Sequence, residues 1–204
     1  MIAHRRRRRD RVGPPTLAER GAALVEFAFL VPLLALFAFG TLELGFQWKY
    51  AHEAVGGSRA GARVGAGLGN DPTTDYYILA TIRSSLDSAG TLEKLRKVIV
   101  YKANTQGDPA TSCLSATSPT GNCQVYNSSM INSTLSATHF HATTGCYTGG
   151  TANSPLQGWC PSSRNVTQTT ADYIGVRIVL QSASITRMFP TYTMTRDSVM
   201  RMEP

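Results

Sequence analysis

The sequence predicts an α+β protein in which a long N-terminal helix continues into a small head. An apolar run, Ala22–Phe46, is long enough to cross a bilayer as a helix. Helical spacing of apolar residues recurs at 73–88, and segments rich in β-branched residues follow later in the chain. We therefore expect a membrane-spanning helix, a second helix and an antiparallel sheet of about three to four strands.

These patterns divide the chain into three parts. Residues 1–21 form a basic leader that is expected to be removed, residues 22–69 the transmembrane and extended helix, and residues 70–204 an extracytoplasmic α+β head. Within the head, residues 104–170 are rich in Ser, Thr, Asn and Gly and hold all four cysteines. This segment is therefore expected to be a long loop with added covalent links.

Most of the net charge of +7 lies in the first 20 residues. Met1–Arg20 contains seven arginines against Asp10 and Glu19, which leaves +5 there and +2 in the rest of the chain. The positive charge therefore marks a tail rather than a basic face of a domain, and no nucleic-acid partner is predicted. Arginines beside an apolar segment are typical of the cytoplasmic side of a membrane.

The apolar run predicts one membrane span. Its 25 residues would form a helix of about 37 Å, enough to cross a bilayer with some tilt. Glu26, Thr41 and Glu43 interrupt the run, and we expect Glu43 to reach head groups or water at its boundary. The cluster Gln47–Tyr50 that follows is of the aromatic and lysine type that anchors helices at the interface.

Two simpler interpretations leave part of this segment unexplained. A secretory signal peptide has an apolar core of about 7–15 residues and a small-x-small cleavage site. Here the core is longer, and no Ala-x-Ala occurs from Phe37 to Tyr50. An uncleaved single-span anchor accounts for everything except Glu26, because a carboxylate near the bilayer centre costs about 2.5–3.5 kcal/mol.

A third interpretation gives Glu26 a role. Cleavage after Gly21 would create a new ammonium at Ala22, four residues before this glutamate. In an assembly of helices, that ammonium and the Glu26 carboxylate of a neighbouring chain could pair within the apolar layer. An unpaired carboxylate in the apolar layer is costly, so alignments of neighbouring helices that leave Glu26 unpaired are disfavoured. The residue would therefore direct assembly.

The segment around Gly21 resembles a known cleavage site. A glycine followed by glutamate at the fifth position and an aromatic residue, Phe27, at the sixth is similar to the prepilin site of the type IV and Flp pilin superfamily. The longer string GAALVEFAFLVPLL, which includes Pro32, resembles more narrowly the TadE-like pseudopilins of the tight-adherence (Tad/Flp) system. TadF-like and TadG-like proteins share much of this string, and the choice among the three stays open.

The resemblance implies a structural protein with no enzymatic activity and no cofactor. A TadE-like protein would be cleaved between Gly21 and Ala22 by a prepilin peptidase. Glu26 and Phe27 would then take part in assembly with other pilin or pseudopilin subunits into a Tad/Flp-type pilus. The protein would lie in the bacterial cytoplasmic (inner) membrane with a single pass through the lipid bilayer, its N-terminus in the cytoplasm and its head outside. Incorporation into a surface pilus, with a part in cell adhesion, is the further expectation.

Two rival functions remain. The first is an uncleaved single-span cell-surface protein whose cysteine loop binds a ligand. The second, a membrane-tethered hydrolase, ranks last because no nucleophile–base pair can be named. The mature N-terminal residue separates the pilin interpretation from the first rival.

Four glycines recur at every fourth position after the membrane segment: Gly57, Gly61, Gly65 and Gly69. They predict a smooth ridge on the extended helix, where another backbone could approach closely. Because each glycine lowers helix stability by about 1 kcal/mol, something must pack on this ridge. Two partners are equally open, the protein's own head and a neighbouring subunit.

The head is expected to combine a helix, three strands and one short helical turn. In chain order these elements are predicted at Thr73–Ser88, Leu95–Ala103, Ser128–Leu135 (the turn), Asp172–Ile185 and Thr191–Met202.

The four cysteines predict two disulfides in an oxidising compartment. Of the three connectivities, we expect the sequence-local pairs Cys113–Cys123 and Cys146–Cys160. Neighbouring cysteines in an irregular segment need no other part of the fold to bring them together. A crossed pairing would instead place the two halves of the loop side by side.

No catalytic site is predicted, since G-x-S-x-G, P-loop and H-E-x-x-H motifs are absent from the sequence. His139 and His141 lie near Cys146 and could bind zinc together with the other cysteines. The cysteine spacing does not match a paired C-x2-C site, so no metal ligand is expected.

Overall fold

The computed structural model of the chain describes residues 17–132, 135–149, 158–184 and 190–203. These residues form long and short helices and a four-stranded antiparallel sheet, so the predicted α+β fold is confirmed. In chain order the helices and strands are α1 (Leu17–Leu68), α2 (Thr74–Ser88), β1 (Leu95–Ala103), α3 (Thr111–Leu114), β2 (Cys123–Asn127), α4 (Ser128–Asn132), β3 (Tyr173–Ser182) and β4 (Tyr192–Arg201). Contacts divide the chain after Leu42 into two compact units.

In the first unit, α1 carries apolar side chains that are exposed. Phe29 is 79% and Leu34 61% exposed. In a soluble protein, the apolar face of a helix is instead buried against the core. Pro32 lies inside the helix, where it removes one backbone hydrogen bond. Leu24–Leu68 is the one helical segment among the described residues that is long and apolar enough to cross a membrane, with a mean hydropathy of 2.1 in its apolar window.

In the second unit, the sheet has the strand order β2-β1-β3-β4, and each neighbouring pair is antiparallel. β1 has the predicted bounds, and β3 and β4 lie inside the predicted ranges. Val98 lies opposite Ile178 and Val100 opposite Val176, so β-branched side chains of neighbouring strands pack on the same face.

The second half of α1 and all of α2 cover this face of the sheet. The buried positions Ile78, Ile82 and Leu86 recur every four residues on α2, which aims one stripe of the helix at the strands. On α1 the matching positions are small, Ala62 and Ala66, so the helix lies close to the sheet. The result is one continuous core between helices and sheet.

The opposite face of the sheet is covered by residues 103–123. Ile99 and Tyr101 of β1 pack there with Cys113 and Val125 in a smaller cluster. The Tyr101 ring lies directly over Gly175 of β3, where any Cβ would overlap the ring. A glycine is therefore required at this position in the strand.

The segment 104–170 is only partly the loop that its composition predicts. It contains β2, an edge strand that adds a fourth member to the sheet, and the short helix α4 at the predicted turn. Tyr126, Phe140 and Trp159 are buried and join the main core. The strand was missed because Cys123–Asn127 is short and buried on both faces, so it shows no alternation of polar and apolar residues.

The glycine ridge of α1 packs against the protein's own head. A Cβ at Gly57 would lie 3.1 Å from Ile178 Cδ1, and one at Gly65 would lie 2.6 Å from Ile174 Cδ1 and 2.9 Å from Ile78 Cδ1. Of the two open partners, the structure therefore uses the intramolecular one. The glycines allow α1 to approach both α2 and β3 closely, which offsets their cost in helix stability.

Lys49 links α1 to the end of α2. Its Nζ donates a hydrogen bond of 3.2 Å to the carbonyl of Ala89, the C-cap of α2, and lies 3.7 Å from Glu53 one turn along α1. A cation at this position complements the negative end of the helix dipole. The ammonium that was predicted to anchor the helix at the interface makes this contact within the head.

Candidate functional site

The predicted cleavage and assembly residues all lie near the start of α1. Gly21, Ala22, Glu26 and Phe27 are helical and exposed, and Phe27 is 62% exposed. Leu17 is the first described residue of this helix, and the Gly21–Ala22 bond lies within α1. Ala22 and Glu26 are one turn apart, and residues four apart lie on the same side of a helix.

Glu26 is isolated within an apolar surface. From Gly21 to Gly40 the sequence contains no other charged residue. The flanking side chains Leu24, Val25 and Leu30 are each more than half exposed. A surface of this kind needs lipid or other helices to cover it, and a carboxylate within it needs a partner of opposite charge.

Glu43 differs from its prediction. It was expected at the membrane boundary in contact with head groups or water, but its side chain is only 4% exposed. It lies in the wall of a groove that α1 forms with the first half of β4. The sequence could not indicate this burial because Tyr192 and Met194, which line the same groove, are about 150 residues away in the chain.

All four cysteines are oxidised in the structure. Cys113 is bonded to Cys123, with their Cα atoms 6.0 Å apart, and Cys146 to Cys160, with their Cα atoms 5.0 Å apart. These are the sequence-local pairs that the spacing favours. The first bond joins α3 to the start of β2, and the second joins two irregular stretches of the loop.

The loop that carries the second disulfide is tied to α2 by a buried ion pair. Arg164 Nη2 donates to Asp75 Oδ1 at 2.5 Å, and Tyr126 donates its hydroxyl to Asp75 Oδ2 at 2.5 Å. Both charged side chains are fully buried, and the Arg164 guanidinium stacks 4.7 Å above the Trp159 ring. Burial, together with the neighbouring Asp75 carboxylate, raises the pKa of Tyr126 well above its usual value.

The residues considered for zinc do not form a metal site in the described part of the chain. His139 and His141 lie in and after a 3-10 turn, where the Nδ1 of His141 accepts hydrogen bonds from Thr143 and Thr144. The sulfur atoms beside them are used in disulfides, so no thiolate is present as a ligand. Within the described residues no cluster of three or more His, Cys, Asp or Glu could hold a metal ion.

Sequence reasoning missed two groups of residues. The Asp75–Arg164 pair links positions 89 residues apart, and the groove of Glu43 and Arg196 joins positions more than 150 apart. An arginine and an aspartate inside otherwise apolar or irregular stretches were the only available signal. That signal does not identify a partner, because only the fold brings the two chain segments together.

One known family is similar to the N-terminal part of the chain. Residues 21–63 match the family model described as TadE-like protein, which agrees with the resemblance stated from the sequence. The match covers about a fifth of the chain and begins at Gly21, the residue before the predicted cut. No curated protein and no solved structure matches the chain.

Proposed function

We propose that this chain is a structural minor pilin or pseudopilin that takes part in assembling a Tad/Flp-type pilus. The observation that carries the proposal is the coincidence of the TadE-like match at 21–63 with a helix whose exposed surface from Gly21 to Gly40 is apolar except for Glu26. Such a helix is suited to lateral association in a bilayer and to packing with equivalent helices outside it.

Cleavage between Gly21 and Ala22 by a prepilin peptidase is the first step of the proposed function. The bond lies within α1, so the enzyme must bind a locally opened chain. Opening of the one or two turns around Gly21 would be enough to expose the bond. Removal of the arginine-rich leader would leave Ala22 as the first residue of the mature helix.

Assembly would follow from the chemistry of the new end. The ammonium of Ala22 in one subunit would pair with the Glu26 carboxylate of another, and Phe27 would pack at the same contact. A paired charge is tolerated in an apolar layer, whereas each unpaired one is costly, so the ion pair selects one register of neighbouring helices. The arginine leader would keep the N-terminus in the cytoplasm, with the disulfide-bonded head outside.

The experiment that tests the proposal is determination of the mature N-terminus. We expect mass spectrometry of the protein extracted from membranes of its native host to give Ala22 as the first residue. We expect Gly21→Leu to accumulate as full-length precursor, because a large side chain replaces the small residue at the cut. Gly40→Leu, which changes a glycine with no neighbour within 4 Å in the same helix, should be processed normally. A mature protein that keeps residues 1–21 would favour the uncleaved surface-binding protein instead.

A further inference from the structure

We propose that the groove between α1 and the first half of β4 binds a glycerophospholipid whose head group carries a hydrogen-bond donor. The proposal rests on insertion of the apolar part of α1 into a membrane. It does not depend on cleavage at Gly21 or on entry into a filament.

The groove lies between α1 and the first half of β4. Further along both elements, Ser58 and Ser198 share a hydrogen bond of 2.9 Å. The groove has a volume of about 530 Å³, and its walls include Glu43, Leu44, Gln47 and Trp48 of α1 and Tyr192 and Arg196 of β4.

The position of the groove in the chain places it at the membrane interface. Trp48 follows the apolar run Ala22–Phe46 by two residues, which is about 3 Å along a helix. Trp48 is 71% and Leu44 70% exposed, so the wall formed by α1 presents large apolar side chains. Tryptophan and tyrosine at this level are typical of residues that contact lipid head groups and the upper acyl chains.

Arg196 supplies a cation for a phosphate. Its Nη1 donates to the carbonyl of Thr195 in its own strand at 2.8 Å, and within the described residues it makes no ion pair with a carboxylate. A guanidinium binds phosphate oxygens through two parallel hydrogen bonds. The acidic residue of the groove, Glu43, is 4% exposed and interacts within the protein, so it lies in the wall rather than at the mouth.

Gln47 indicates which head group fits. Its Oε1 is buried and accepts no hydrogen bond in the described part of the structure. A buried acceptor of this kind requires a donor. The hydroxyls of phosphatidylglycerol and the ammonium of phosphatidylethanolamine are donors, whereas the trimethylammonium of phosphatidylcholine has no N–H. The pair Gln47 and Arg196 therefore favours the first two lipids.

The size of the groove favours a lipid over a helix of another subunit. A helix is about 10–12 Å wide and 5.4 Å long per turn, so about 530 Å³ would hold only about one turn. The same space lies within the range of about 300–1,000 Å³ that is usual for small-molecule sites. A single acyl chain with its phosphate matches this narrow, open and largely apolar shape.

Fluorescence of Trp48 tests the proposal in the full-length protein. The protein is placed in nanodiscs of phosphatidylcholine that contain brominated phosphatidylglycerol, brominated phosphatidylethanolamine or brominated phosphatidylcholine at equal bromine density. The other tryptophan, Trp159, is 4% exposed, and its signal is subtracted with the Trp48→Phe variant. We expect the two donor-bearing lipids to quench Trp48 with an apparent affinity about fivefold above that of phosphatidylcholine.

Two variants and one control assign the contacts. Arg196→Gln should lower the apparent affinity for all three lipids about fivefold. Gln47→Leu should remove the preference for donor-bearing head groups while retaining binding. Arg59→Gln, an exposed arginine about 16 Å further along α1 than Trp48, should change nothing.

Two results would overturn the proposal. Equal quenching by all three lipids, unchanged in Arg196→Gln, would mean that Trp48 meets only bulk lipid. Protection of Trp48 from every lipid, together with crosslinks from residue 48 to a second copy, would assign the groove to another subunit. Because the N-terminal residue of the same samples is measured separately, failure of this proposal and failure of the proposed function are distinguishable.

Discussion

Arg164 connects the cysteine-rich loop to the helical layer of the head. It is 3% exposed, and its guanidinium contacts the Asp75 carboxylate, the carbonyl of Trp159 and the face of the Trp159 ring. Its Nε and Nη1 have no hydrogen-bond partner among the described residues. The buried Asp75–Arg164 ion pair thus carries a large desolvation cost. Its main effect is to specify where the loop docks on α2.

We predict that Arg164→Met lowers the free energy of unfolding by about 3–5 kcal/mol, because Asp75 would be left as an unpaired buried carboxylate. Chemical denaturation of the full-length protein in detergent, followed through Trp159 fluorescence, measures the loss. In the double variant Asp75→Leu/Arg164→Met no charge remains buried at this contact, so most of the stability should return. A loss below about 1 kcal/mol in the single variant would mean that water reaches the carboxylate.

Tyr126 makes the stability of the head sensitive to alkaline pH. Its pKa is raised in the folded protein by burial and by Asp75, while the unfolded pKa is about 10. Below pH 10 the phenol is protonated in both states, so its contribution to stability is complete. Above that pH the unfolded state loses the proton first, and stability falls by up to about 1.4 kcal/mol per pH unit.

We therefore expect a steeper alkaline loss of stability in the wild type than in Tyr126→Phe. The variant should be less stable at neutral pH by about 1.5–3 kcal/mol, because Asp75 loses a hydrogen-bond donor. Denaturation midpoints measured from pH 8 to pH 11.5 give both slopes. Burial also raises the pKa of Tyr101 and Tyr147, so a smaller slope should remain. Identical slopes in the two proteins would show that Tyr126 is not the group responsible.

At the scale of elements, α1 serves two different environments with one continuous helix. From Leu24 to Leu42 its large side chains are apolar and mostly exposed, and from Ala54 onward its fully buried positions are small residues: alanine, glycine and Ser58. The change in side-chain size follows the distance between the helix and the surface that packs on it. A membrane segment is covered by lipid or by other helices, whereas the second half lies against two isoleucine-rich elements of the same chain.

We predict opposite effects for leucine at two neighbouring glycines of α1. Gly65→Leu should destabilise the head by about 1–3 kcal/mol or more, because its Cβ would overlap Ile174 and Ile78. Gly67→Leu should be neutral or stabilising by up to about 1 kcal/mol, because no atom lies within 4 Å and leucine favours helix. Thermal or urea unfolding of both variants provides the comparison. Equal effects of the two variants would argue that close packing on the head does not explain the glycine at position 65.

At the scale of the whole molecule, the two compact units differ in whether their large apolar side chains are buried within the chain. The second compact unit, which contains the head and the second half of α1, has a core on each face of its sheet and both disulfides within it. The apolar segment of α1 instead has its large side chains exposed and one carboxylate among them. Its partners must therefore come from the membrane or from other subunits.

We expect Glu26→Gln to be cleaved normally and to fail in assembly, because the amide cannot neutralise the Ala22 ammonium of a neighbour. Mass spectrometry of the N-terminus reports cleavage, and recovery in sheared pilus fractions or with co-purified subunits reports assembly. Thr41→Val is a matched control, since the Thr41 hydroxyl already donates to Ala38 in its own helix at 2.9 Å. Wild-type recovery of Glu26→Gln in those fractions would refute the ion-pair mechanism.

Elements with a strong local pattern were predictable, and those without one were not. The bounds of β1 follow from its β-branched residues. The start of α2 follows, to within one residue, from the helical spacing of its apolar residues. β2 was not predicted, because a strand buried on both faces has no alternation. For the candidate site, Gly21 and Glu26 could be proposed from the sequence because the proposal depends on their spacing along one helix. The groove and the partner of Arg164 could not, because they depend on contacts between distant segments.

The sequence by itself determined the class of this protein: a long apolar helix with one carboxylate after a glycine, followed by an α+β head with two local disulfides. Each of these features is encoded over a few neighbouring residues, where helical rise, strand alternation and loop closure apply directly. Only the tertiary structure decided that the glycine ridge packs on the head, that Glu43 is buried and that Arg164 meets Asp75. Those outcomes depend on which surfaces fill the space between α1, α2 and the sheet, and close packing is a property of the assembled core rather than of any local segment.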